Sequence, residues 1–141
     1  MEVSFLAGIN VSSILGLFAF LLYLAIFAGP VSMLALGLLY LFRPAKNPTK
    51  LYGFKAFCGM GTAQAWRFTQ RIAALAFLAV GGILTIVMAV LCIVNSGQDL
   101  GQLASLSVSC LIWEVIFSAV AIVSINLVVF VFFDRNGNWK N

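Results

Sequence analysis

Histidine is absent from the 141 residues, and only four side chains are acidic. Imidazole is the commonest general base, so its absence removes the usual centre of proton-transfer chemistry. No paired carboxylates occur, and no glycine-rich phosphate loop ends in Lys-Ser or Lys-Thr. The sequence therefore predicts a protein that is not an enzyme and binds no cofactor. Three cysteines, Cys58, Cys92 and Cys110, show no metal-ligand spacing. A structural zinc site needs four thiolate or imidazole ligands, so no metal is expected. Charge of either sign is scarce at 9%, whereas soluble domains run near about 25%. The first residues, Met1 to Phe5, lack the basic stretch that opens a signal peptide. The apolar run after them is also too long for one, and is expected to stay in the mature protein.

What the chain has in abundance is apolar sequence, at 63%. Three runs exceed the roughly 18–20 residues that cross a bilayer core. Because the runs are continuous, they do not fit the alternating strands of a barrel. The expected fold is all-α: one polytopic membrane domain, residues 1–141, with three transmembrane helices and the lipid bilayer as its main surroundings. The spans are expected at about 11–42, 72–94 and 108–133, joined by a loop at 43–71 and a short loop at 95–107. A straight 11–42 helix would be about 48 Å long, more than the roughly 30 Å core. Gly29-Pro30 near its middle predicts a kink. Gly81, Thr85 and Ala89 recur every four residues and suit close helix contact, although small residues are common in membrane helices.

The polar stretch 43–71, RPAKNPTKLYGFKAFCGMGTAQAWRFTQR, holds Arg43, Lys46, Lys50, Lys55, Arg67 and Arg71 and no acid. The net charge of +4 comes without any nucleic-acid-binding pattern, so no nucleic-acid partner is expected. The cations instead orient the chain, since cytoplasmic loops are enriched in Lys and Arg. The N-terminus and the 95–107 loop carry none, and the tail carries Arg135 and Lys140. The expected topology is N-terminus outside, 43–71 inside, 95–107 outside and C-terminus cytoplasmic. Pro44 and Pro48 disfavour helix in the loop. Thr62 is the expected N-cap of a helical lead-in over 63–71, with Trp66 and Gln70 on one face and Arg67 and Arg71 on the next. Trp66 and Phe68 suit the headgroup level, and the arginines suit lipid phosphates.

Within the spans, Glu114 is the one ionisable acid, and a carboxylate in hydrocarbon is costly enough to suggest function. On the expected span it lies about two turns from the outer end. Ser118 is one turn further on the same face, and Asn126 three turns further, rotated about 120°. These polar groups either line a site for a ligand, proton or partner helix, or include an acid near the outer interface that is protonated or snorkels and is bonded to a neighbouring helix. Cys92 and Cys110 should lie at similar depth, where they are either bonded or simply small apolar side chains.

The stretch Asn47 to Gln70 resembles the loop of the SdpI family of small bacterial membrane proteins, roughly P-K-x-N-x-x-Y-G-Y-R-T-x-x-S-M-x-N-x-x-x-W-x-x-A-N. Asn47, Tyr52, Gly53 and Phe54 fall at its N, Y, G and Y, Lys55 takes the arginine position, Met60 follows at the methionine, and Trp66 lies at the tryptophan. Ala56, Gly59, Thr62 and Thr69-Gln70 depart from it, and the spacing from Asn47 to Tyr52 is looser. The resemblance implies an immunity protein of the bacterial inner membrane, a multi-pass protein conferring bacteriocin resistance against a secreted toxic peptide. It also implies signal transduction through a cytoplasmic regulatory protein held at the inner face. Two other roles fit the sequence: an accessory subunit of a larger membrane complex, or a transporter or channel lined by Glu114, which with three spans requires a homo-oligomer.

Overall fold

Two 32-residue helices and one of 33 residues dominate the computed structural model, which describes residues 10–49 and 51–141. They are α1 (Val11–Phe42), α2 (Ala63–Val94) and α3 (Leu100–Phe132). All three are long and apolar enough to cross a membrane. The chain is thus an all-α, multi-pass membrane protein. Expectations for residues 1–9, including Glu2, and for Lys50 lie outside the described residues.

α1 passes through Pro30 as a single helix. Its buried residues, Ile26, Pro30, Met33, Gly37 and Tyr40, alternate in steps of four and three and so form one stripe. That stripe meets α2 most extensively. The contact is close because two residues lack side chains. A Cβ on Gly81 would come within 3.0 Å of the Leu34 nitrogen, and one on Gly37 within 2.8 Å of Leu78 Cγ. Of the small-residue ridge, Gly81 makes this approach, while the Thr85 hydroxyl turns back to donate to the Gly81 carbonyl at 2.7 Å. α3 completes the bundle with Ser107, Cys110, Glu114, Ala121, Ile125 and Val129 inward. The outer faces carry large apolar side chains such as Phe18, Ile86 and Val115, as lipid-facing surfaces do.

The turn between α2 and α3 is shorter than the expected 95–107 loop. It ends at Asp99, whose carboxylate accepts from the Gln102 N–H at 2.9 Å and caps the helix there. Residues 100–107 are helical, so α3 begins two turns earlier than its apolar run. At the other end the Thr62 cap forms as expected, accepting from the Ala65 N–H at 3.2 Å. Cys92 and Cys110 are both free.

Candidate functional site

The described residues of the loop, 43–49 and 51–62, have no regular secondary structure, yet they are folded onto the base of the bundle. Trp66, 1% exposed, lies beneath it and donates its indole N–H to the Ala45 carbonyl at 2.6 Å. The ring is thus inside the protein, where it packs against the loop instead of facing its surroundings. Four residues on, Gln70 is equally buried. Its amide oxygen accepts from the Phe54 N–H at 3.0 Å and its amide nitrogen donates to the Phe54 carbonyl at 2.7 Å. One side chain thus replaces a missing strand partner for Phe54, an effective way to bury loop backbone. Gly53, between these two clamps, has φ +113°, and a Cβ there would lie 3.0 Å from Trp66 Cζ2. Only glycine holds that backbone without strain. Phe54 packs its ring edge-on against Phe77, 5.9 Å between centroids.

The C-terminal residues complete this cap. Phe133 and Trp139 form an antiparallel bridge around a turn in which the Asp134 carboxylate accepts from the N–H groups of Asn138 at 2.8 Å and Asn136 at 2.9 Å. The Asn138 N–H, more than any other contact, holds the Asp134 carboxyl below its ordinary range. Thr62 donates to the Gly137 carbonyl at 2.6 Å, which ties the tail to the start of α2. Phe68 packs against Phe132, Phe133 and Trp139. On the outer side of the turn, the Arg135 guanidinium stands 5.8 Å over the Phe57 ring.

The residues of the resembling motif therefore divide. Gly53, Phe54 and Trp66 build the cap, whereas Asn47, Tyr52, Lys55 and Met60 are exposed on it. The intramembrane polar group also divides. Asn126 belongs to the cap: it accepts from the Phe57 N–H at 3.2 Å and does not extend a Glu114 site. Ser118 donates to Met33 Sδ at 3.5 Å, on the α1 side. Glu114 is 5% exposed, and its Oε1 has no hydrogen-bond partner among the described residues. It does not snorkel. The early start of α3 puts it about four turns from the N-terminal end of the helix and about five from the C-terminal end, near mid-bundle. Gly29 faces it, where a Cβ would come within 2.9 Å of the carboxyl carbon. Pro30, the next residue, lacks the N–H that would bond the Ile26 carbonyl.

Gln70, Thr69 and Asp134 are the contributors that reading the sequence for function missed. Thr69 is fully buried beneath Gly59, whose Cβ would strike its side chain. The available signal was the face shared by Trp66, Thr69 and Gln70, next to that of Arg67 and Arg71. For Asp134 it was the Asp-Arg-Asn-Gly turn sequence. Comparison of the chain with family models, curated proteins and solved structures returns no match.

Proposed function

We propose that this protein is a non-catalytic immunity protein of the bacterial cell membrane, guarding its cell against a secreted toxic peptide. The exposed face of the cap, Tyr52, Lys55 and Met60, docks a cytoplasmic regulatory protein. The reading rests on the resemblance of the 47–70 loop to the SdpI family. The observation that carries it is the division of that loop. A segment serving only to orient the chain needs cations. It does not need a glycine at φ +113° or a tryptophan buried by a backbone hydrogen bond. Here those elements hold a fixed surface on which Tyr52 and Met60 stay 41% and 43% exposed. Exposed aromatic and methionine side chains are favoured in binding surfaces.

The test is survival of a sensitive host that expresses the full chain and is challenged with a candidate peptide. Protection is expected, with Lys55→Ala lowering partner capture while leaving membrane insertion intact. Absence of protection against the peptides encoded beside this chain would overturn the immunity reading. A second reading, an oligomeric transporter or channel, is favoured by the buried Glu114 carboxyl at mid-bundle, whose Oε1 has no partner among the described residues. It predicts that Glu114→Gln abolishes activity while Lys55→Ala does not, and that the protein is an oligomer in mild detergent.

A further inference from the structure

Beside the cap, between the end of α1 and the start of α2, lies a cleft of about 660 Å³. Lys46, Arg67 and Arg71 line it, with Tyr40, Leu41 and Leu75. We infer that this cleft binds a phosphate ester, and specifically the headgroup of an anionic phospholipid.

The charge arrangement comes first. Arg67 and Arg71 are four apart on α2, hence one turn apart on one face. Both are exposed, on the face next to the buried Trp66, and Gln70 lines the cleft beside them. Lys46 comes from the loop, and its position is not left to chance: the adjacent Ala45 carbonyl is the acceptor for the Trp66 indole. The bond that builds the cap therefore sets a third cation beside the arginine pair. Among the described residues, no carboxylate lines the cleft. Of the described acids, Asp99 caps the opposite end of α3, Glu114 is buried at mid-bundle, and Asp134 is engaged by its own turn. Three cations around one concave space, without a counter-ion among the described residues, call for an external anion. Arginine's planar fork suits the paired oxygens of a phosphate.

The walls then choose between a lipid and a soluble phosphate. Along α2 the stripe runs Arg67, Arg71, Leu75, so charge gives way to an apolar side chain in one further turn. Leu75 is 59% exposed and Leu41 opposite it 45% exposed. The cleft thus opens toward the lipid-facing surface at its apolar end and is cationic at its other end. That polarity matches a headgroup with its acyl chains, and a soluble phosphate has no use for the apolar half. The inference does not depend on the immunity reading.

The experiment uses the full chain in a neutral maltoside detergent. Lipid binding is read by native mass spectrometry during titration with phosphatidylglycerol, with phosphatidylcholine of the same acyl chains, and with inorganic phosphate. Phosphatidylglycerol is expected to bind about tenfold more tightly than phosphatidylcholine. Arg67→Gln with Arg71→Gln should remove that preference, and Lys46→Gln alone should reduce it severalfold. The charge-matched control, Lys55→Gln with Arg135→Gln, should leave it unchanged, since neither residue lines the cleft. Equal losses in the two double variants would mean diffuse surface charge and overturn the site. Displacement of phosphatidylglycerol by millimolar inorganic phosphate would assign the cleft to a soluble phosphate and overturn the lipid assignment. If the arginine double variant fails to fold, the contrast between Lys46→Gln and Lys55→Gln decides the question alone.

Discussion

Trp66 carries more of the cap than its single hydrogen bond suggests. Removing the indole N–H while keeping an aromatic ring, as in Trp66→Phe, leaves the Ala45 carbonyl facing protein instead of water. An unsatisfied buried acceptor costs about 1–3 kcal/mol. We expect Trp66→Phe to open the 43–62 loop to proteolysis while the three helices remain intact by circular dichroism. Gly29 makes a different case. Its missing side chain is the space the Glu114 carboxyl occupies, with 2.9 Å separating a would-be Cβ from the carboxyl carbon. Gly29→Ala should lower the melting temperature in detergent. Glu114→Ser should relieve much of that loss in the double variant, because residues in contact are not additive. If the two substitutions simply add, Glu114 does not occupy the Gly29 notch.

Among elements, the C-terminal turn has the clearest pH response. Its Asp134 carboxyl is held low by the Asn138 and Asn136 N–H groups. A depressed folded value means the ionised form is favoured in the folded turn. Its contribution is complete above the ordinary aspartate value of about 3.9 and is lost as pH falls through the lower, folded value. Trp139, bridged to Phe133 across this turn, reports the change. Its fluorescence should shift on acidification below that range, and the shift should be missing in Asp134→Ala. The same turn shows what a reading of apolar runs overlooks. An eight-residue, mostly polar stretch after a span looks like a frayed tail, but Asp134 supplies the acceptor and Gly137 the positive φ, 77°, that fold it back. α3 makes the point at its other end. Hydropathy starts the helix where the continuous apolar run begins, at Val108, whereas the N–H groups of its first turn start it at Asp99.

For the molecule as a whole, the three spans were legible because lipid imposes a length and a composition that soluble cores do not. The cap was not, because its main contributor is Gln70, a polar residue whose partners are backbone atoms sixteen positions away. Side-chain to backbone bonds across that separation leave no periodicity. Orientation depends on a separate property, the asymmetry of cations, and it can be measured independently of the fold. In a chain whose native Cys58, Cys92 and Cys110 are replaced by alanine, a single cysteine at Gln98 sits in the exposed α2–α3 turn, and one at Asn47 sits on the exposed cap. A membrane-impermeant maleimide added to intact cells should label the Gln98→Cys chain, and should label the Asn47→Cys chain only after permeabilisation. The reverse pattern would put the cap outside and remove the basis for docking a cytoplasmic partner. It would leave the cleft between Lys46, Arg67 and Arg71 in place, since anionic headgroups can be met at either face. The two proposals are therefore separable by one labelling experiment and one lipid titration.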